Sequence, residues 1–477
     1  MCSVQEGDVD APIKKTDQSE NKDRLCMKCR QNKAILITRV NDAFCRECFM
    51  VYVTHKFRAA IGKSKLIRDG ENVLVAYSGG QSSGCMLHLI KEGLSERAHK
   101  KLRFKPSLLF IDEGAVMGMA AQERFEICSK VLKTMEATGY PCYIKALEQA
   151  VELDKEFVLS SHSQNGLENG LPTDEEISKS DTSEMEDLQT RFRKFDLAES
   201  KLTSLLASLK SITAKEDLVK SLRQKLLIDL ARERGFTKVM LADCSTRLAV
   251  RLLSDMAQGH GGHVAMDTAF ADKRHSEITI VRPIRDFSSK EVALYNILNN
   301  VDTIFIPTLT TKASDGTSIE HLTEKFVTGL QADYPSTTSN IMRTGEKLST
   351  QNPDTDDQHC AICQAPLDTD VGLSSALSAV EFSQKLSRQV EEGGRPCTQE
   401  STCCGEGDGS CKTGQDSGPS REDVMVALCY GCRLMIRELS DIQRLPPHIL
   451  RDISYRSRRR KMKSDISQFL LNEDGDS

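Results

Sequence analysis

Short apolar runs recur through the middle of the chain: NVLVAY, SLLFID, CYIKAL, TKVMLAD and EITIVR. Stretches such as RFEICSKVLKTMEATG and LRQKLLIDLARERG lie between them, with apolar residues at helical spacing. Strands alternating with helices predict an α/β domain built on a parallel sheet with helices on both faces. In that architecture ligands sit beyond the carboxyl ends of the strands. Ahead of the first run, FMVYVTHKFRAAIGKSKLI reads as a helix with several cations. A further helical pattern runs from about Leu188 to Leu209.

The pattern fails in three places. Residues 1–24 are polar and read as a disordered leader. Between Asn165 and Asp187 eight carboxylates and one lysine stand among Ser, Gly and Pro, which predicts a flexible acidic insertion near 160–187. A glycine-rich polar stretch over 391–422 predicts a second disordered insertion.

At 477 residues the chain is too long for a single compact core. With 39% apolar residues, 5% aromatics and no tryptophan, that core is modest, and the net charge of -5 averages unlike segments. No apolar run approaches the roughly eighteen residues of a membrane span, and the first residues lack a signal-type apolar stretch. A soluble, intracellular protein with no membrane partner is expected.

Of seventeen cysteines, eight form four C-x-x-C pairs. Cys26 and Cys29 are followed by Cys45 and Cys48, with the β-branched AILITRV between them. Each pair aims two thiolates at one point, so four can surround one Zn²⁺ in a structural site with no open position. A redox role is disfavoured because neither pair is expected to open a helix after a parallel strand. Cys360 and Cys363 pair in the same way with Cys429 and Cys432. Loop closure costs grow only logarithmically, so the long insertion between these pairs does not prevent a shared metal. Cys397, Cys403, Cys404 and Cys411, inside that insertion, read as solvated thiols. The partition that results is a leader (1–24), a zinc ribbon (25–52), an α/β domain (53–350), a second ribbon (351–440) and a basic tail (441–477).

After the strand VLVAY comes Ser78-Gly79-Gly80-Gln81-Ser82-Ser83. A turn with two glycines opening a helix presents backbone N–H groups at the positive end of a dipole, a site suited to phosphate. Glycine matters because a Cβ would hold the phosphate off. The loop resembles the S-G-G-x-D-S signature of the PP-loop ATPases, which adenylate a carbonyl oxygen. Between two cysteine quartets, and followed by VRPIRDFSSKEVALYNILNNV, it resembles the tRNA-thiolating branch of that family. The resemblance implies a PP-loop (adenine nucleotide alpha hydrolase-like) sheet flanked by N- and C-terminal zinc ribbons.

The departures are specific. Ser78, Gly79, Gly80 and Ser83 match, but Ser82 stands where the family has an acid, and Gln81 where lysine is common. Where active members carry G-H-N-x-D-D, this chain has DCSTRL, Asp243 to Leu248. No cysteine lies between Cys142 and Cys244 or between Cys244 and Cys360, so the family's sulfur-carrying thiols are missing; Cys85 and Cys244 read as buried small residues. Replacing a uridine oxygen by sulfur needs adenylation and a sulfur nucleophile. The resemblance therefore implies no catalytic residue of the chain's own and a supporting place in a cytoplasmic heterodimeric wobble-uridine 2-thiolase. It also implies a catalytic PP-loop subunit, tRNA, and a ubiquitin-related modifier as sulfur source. Structural Zn²⁺ is the expected cofactor, and ATP binding at the degenerate loop stays open beside a scaffold with no nucleotide role. Candidate tRNA contacts are Lys63, Lys65 and Arg68, and Arg456, Arg458, Arg459, Arg460 and Lys461 in YRSRRRKMK, a run that reads equally as a solvated helix face.

Overall fold

The computed structural model describes residues 24–37, 42–98, 101–151, 159–160, 196–275, 277–312, 316–348, 359–367, 418–439 and 441–467. All but Arg24 of the expected leader, nearly all of the acidic insertion and residues 391–417 lie outside this set.

Two short strands, β1 (Leu36–Ile37) and β2 (Ala43–Phe44), pair antiparallel and lead into helix Arg46–Ser64. The main sheet holds β3 (Asn72–Ala76), β4 (Lys105–Asp112), β5 (Cys142–Ala146), β6 (Leu159–Ser160), β7 (Lys238–Met240), β8 (Ala271–His275) and β9 (Ile278–Val281). Its order is β6-β5-β4-β3-β7-β9-β8. The five inner strands are parallel, and β6 and β8 close the edges antiparallel. From β3 the chain steps outward to β4 and β5, then crosses back to β7 on the other side of β3. The turn after β3 therefore lies where the winding direction reverses, the position at which open α/β sheets bind ligands.

Alternation within β3 sorts the core. Val73 and Val75 face a cluster with Phe49, Phe57, Met86 and Ile90, whereas Leu74 faces Leu227, Leu230 and Val239. Helices Arg46–Ser64, Gln81–Leu94, Ala121–Glu136 and Ser289–Asn299 thus cover one face, and Ile212–Glu233 covers the other. Burial on both faces is why these strands read as continuous apolar runs. The Ile212–Glu233 helix has two jobs. Its later turns meet the sheet, while Ala214, Leu218 and Leu222 enter a separate core with Cys360, Cys429, Cys432 and Ile436.

Two boundaries differ from the sequence reading. The helix expected after the first ribbon starts at Arg46, inside it, so Cys48 is helical. Gly418 to Glu422 fall within the stretch expected to be disordered, yet Ser420 and Asp423 form a reciprocal capping box that starts helix Arg421–Val426. Within the expected basic tail, Pro447–Ser467 is a helix anchored by Ile449 and Ile453. Of the expected Leu188–Leu209 helix, Asp196–Ala207 is present; residues 188–195 lie outside the described set. No helix among the described residues is long and apolar enough to cross a membrane.

Candidate functional site

β3 ends at Ala76, and helix Gln81–Leu94 begins on Gly80 with no side-chain cap and no acidic residue in its first turn. Its leading N–H groups keep the positive end of the dipole uncompensated. Gly79 adopts φ +74, and a Cβ there would meet Ile304 Cβ at 3.3 Å, so this position needs glycine twice over. The Ile304 N–H donates to the Gly79 carbonyl at 2.8 Å, and Asn296 Nδ2 donates to the Gln81 carbonyl at 2.9 Å. Ser83, buried, donates to the Gly80 carbonyl at 3.0 Å and lies 3.2 Å from Ser78 Oγ. Ser82 is half-buried. The six loop residues thus form one turn at the switch point, braced by Asn296 and Ile304.

Near the same sheet edge, Asp243 pairs with Arg282 at 3.2 Å and with Arg251 at 3.8 Å. Burial raises its carboxyl, but Arg251, Arg282 and Arg247 outweigh that and hold it below the usual range. The thiols near the loop are not poised for chemistry. Cys85 is fully buried and Cys244 is 4% exposed. Burial drives the Cys85 thiol far upward, so it stays protonated.

The first quartet is built from local geometry. Arg30, at φ 54, turns its N–H back to the Cys26 carbonyl at 2.8 Å, closing the first knuckle. Cys45 caps helix Arg46–Ser64, with the Phe49 N–H on its carbonyl at 2.9 Å. The four sulfurs lie within 4.8 Å of one another, Cys29 and Cys45 at 3.8 Å, close to the spacing of about 3.8 Å that four bonds of about 2.3 Å to one tetrahedral ion require. With thiols alone, ionisation splits. Burial raises Cys26, yet the backbone N–H groups of Cys29, Cys45 and Lys28 bring it down to about 6. Cys48 is pushed up to about 12 by burial and by its neighbouring sulfurs. A divalent cation removes that conflict.

The second quartet repeats the construction. Gln364, at φ 57, returns its N–H to the Cys360 carbonyl at 3.0 Å, and Cys429 caps helix Tyr430–Arg437. Cys363 and Cys429 sulfurs are 3.7 Å apart, and all four sulfurs lie within 4.8 Å. In both quartets the second pair opens a helix. The strand before Cys45 is antiparallel, however, so the redox arrangement of helix after parallel strand is still not met.

Beside the second quartet lies a polar cluster that the sequence reading missed. His260 Nε2 contacts Asp217 at 3.0 Å, His263 Nδ1 contacts Asp267 at 2.8 Å, and the remaining ring nitrogens face each other at 3.1 Å. Asp267 also accepts from Arg274, which pairs with Asp272 at 2.9 Å. The signal was the pair of histidines in GHGGHV, three residues apart, with Asp267 four residues on, but Asp217 comes from a remote helix.

The candidate tRNA contacts fall into two groups. Lys63, Lys65 and Arg68 are all exposed, at and just beyond the far end of helix Arg46–Ser64. On Pro447–Ser467, Arg458, Arg459, Arg460 and Lys461 are exposed, whereas Arg456 pairs with Asp452 at 2.8 Å and donates to the His359 carbonyl.

Fold and site define a mixed α/β protein that carries two four-cysteine clusters, each able to hold a metal ion. The family model for cytoplasmic tRNA 2-thiolation protein 2 matches residues 318–434. Cytoplasmic tRNA 2-thiolation protein 2-B of Xenopus laevis is 40% identical, with all of both chains covered. The Homo sapiens cytoplasmic tRNA 2-thiolation protein 2 is 34% identical over 96% of this chain and 95% of its own. The chain belongs to the cytoplasmic tRNA 2-thiolation protein 2 family. Among solved structures, the U34-tRNA thiolase NcsA from Methanococcus maripaludis with its 4Fe-4S cluster aligns with a TM-score of 0.47 at 14% identity, over 74% of this chain and 93% of that one.

Proposed function

We propose that this protein is the supporting subunit of a cytoplasmic tRNA wobble-uridine 2-thiolase: it helps to hold tRNA while a partner with an intact PP-loop adenylates the base and delivers sulfur from a ubiquitin-related modifier. Its sheet is then a PP-loop sheet with a degenerate cradle, and its two quartets hold structural zinc. Family membership supports the reaction class. The observation that carries the division of labour is the loop itself. Ser82 supplies no carboxylate, and the nearby thiols, Cys85 and Cys244, are buried. Zinc fits the donor set, since four thiolates at tetrahedral spacing favour a borderline-soft ion and leave no open coordination position.

The test compares the chain alone with the chain plus a PP-loop partner in a thiolation assay on lysine, glutamine or glutamate tRNA. No product is expected from the chain alone, and full product with the partner. Full activity of the isolated chain would overturn the reading.

A scaffold with no nucleotide role is the second reading, favoured by the brace that the Ile304 N–H makes to the Gly79 carbonyl. Gly80→Asp separates the two. A Cβ at Gly80 meets only Ser78 Oγ, at 3.7 Å, so the variant fits and its effect reports on charge. Unchanged activity of the complex favours the scaffold; loss favours a phosphate in the turn.

A further inference from the structure

We propose that His260, His263 and Cys429 bind a second divalent metal ion beside the Cys360, Cys363, Cys429 and Cys432 site, with the Cys429 thiolate shared between the two ions. The three donor atoms lie within 4.8 Å of one another and all three residues are buried. The two inner ring nitrogens are 3.1 Å apart, close to the roughly 3.3 Å that two imidazoles on one tetrahedral zinc adopt with bonds of about 2.05 Å.

The surroundings are those of liganded histidines. Each outer ring nitrogen is held by a carboxylate, Asp217 for His260 and Asp267 for His263, which fixes ring orientation and directs the inner nitrogen's lone pair at the other ring. Two lone pairs facing one another inside a core require a cation between them, and the candidates are a shared proton and a metal. Charge favours the metal. Four thiolates around one Zn²⁺ carry a net charge of about -2, and a second divalent ion bound by neutral imidazoles cancels it where the site is shut away from water. Sequence also makes room for the ion's ligands to approach: a Cβ on Gly431, inside the Cys429–Cys432 knuckle, would collide with His260 Nδ1. Only glycine there lets the imidazole lie against the sulfur knuckle. His263 Nε2 is also 4.0 Å from Cys363 Sγ, so the histidine pair borders the quartet at two of its sulfurs.

The ion would act as a staple. His260 and His263 sit in the turn between helices Ser245–Ala257 and Val264–Thr268, whereas Cys429 belongs to the carboxyl-terminal cysteine module. One metal would tie the α/β core to that module.

The test is made on the full chain reconstituted with excess Zn²⁺ and then desalted. Cys397, Cys403, Cys404 and Cys411 can take adventitious zinc, so the readings are a difference and a ligand type rather than a bare total. Zinc X-ray absorption of the wild type should show a nitrogen shell near 2.0 Å and a zinc–zinc vector beside the sulfur shell near 2.3 Å, both distances being about those of ordinary zinc bonds. The double variant H260N/H263N should lose about one zinc per chain and the nitrogen shell together, with sulfur-only sites retained. A sulfur-only shell in the wild type would overturn the proposal and assign the pair a shared proton, even if the double variant failed to fold. Equal zinc content in a folded double variant would overturn it as well.

Discussion

The two cysteine quartets are built alike and supported differently. In each, the first knuckle closes on a left-handed residue, Arg30 or Gln364, and the second knuckle caps a helix through Cys45 or Cys429. The amino-terminal quartet comes from one short stretch of chain, with Cys29 and Cys48 half-buried. In the other quartet the first and second knuckles lie 65 residues apart in sequence, and Cys360, Cys429 and Cys432 are themselves part of a core shared with the Ile212–Glu233 helix. Identical local chemistry can thus close within one short stretch beside the main core or join remote segments. What decides is the packing outside the knuckles.

That contrast is broken most directly by removing one ligand from each. Cys432→Ser should destabilise the whole chain by more than about 5 kcal/mol, because a metal's binding energy is folding energy for the segments it joins. Cys29→Ser should leave the main unfolding transition nearly in place and expose only the first residues to protease. Calorimetry with limited proteolysis reads both outcomes; equal losses from the two variants would erase the distinction.

The next effect in size tests whether the second core is held by more than its cysteine quartet. Arg124 is buried against Asp112 at 2.6 Å and Glu148 at 2.5 Å, with Glu199 at 2.9 Å, joining the end of β4 to the Leu147–Val151 turn that packs into that core. Arg124→Met leaves two buried carboxylates without their cation and should cost about 3–5 kcal/mol in denaturant unfolding. Adding Glu148→Gln should recover part of that loss, since burial already raises the Glu148 carboxyl and Arg124 is what opposes it. If the double variant is no more stable than Arg124→Met, the network is not electrostatic in origin.

Legibility followed the range of the forces involved. The inner strands could be read because burial on both faces writes an apolar run at Val73–Val75 and at Leu108–Phe110. Strand β8, ADKRH, could not: its residues are polar, and it exists because the sheet edge offers β9 as an antiparallel partner across a short turn. The quartets were visible because a C-x-x-C knuckle is a local object. The His260–His263 pair was not, because its meaning depends on Asp217 from one helix and Cys429 from a distant module. Gly79 lies between these cases. The sequence marks a turn there, but the second reason for glycine, Ile304 lying above it, appears only in the fold.

Acid should separate the two quartets as well. His448 begins the helix that anchors the second core, and burial, aided by Lys225, lowers its pKa to about 4. An unfolded histidine takes a proton near 6.5, its ordinary value of about that size in model peptides. Between those values the unfolded chain binds the proton and the folded chain refuses it, so the stability contributed by neutral His448 is complete above about pH 6.5 and is lost as pH falls toward 4. His448→Gln should flatten that limb of the stability–pH curve. An unchanged slope would place the acid sensitivity elsewhere.

The smallest effect on stability should accompany a clear one on RNA. Each quartet has beyond it a helix with exposed cations, Lys63 and Lys65 at the end of Arg46–Ser64 and Arg460 and Lys461 within Pro447–Ser467. Arg456, on the same helix, instead holds Asp452 and the His359 carbonyl. Charge removal at Arg460 and Lys461 should therefore change stability by less than about 0.5 kcal/mol, as exposed positions do. If these cations meet phosphates, the logarithmic salt dependence of tRNA binding should become shallower by roughly 0.7–0.9 for each phosphate no longer neutralised, evenly across tRNA sequences. Lys63 and Lys65, treated in the same way, should give a second and additive decrement if both pairs touch the same RNA. A salt slope that responds to only one pair would assign the phosphate contacts to that pair alone.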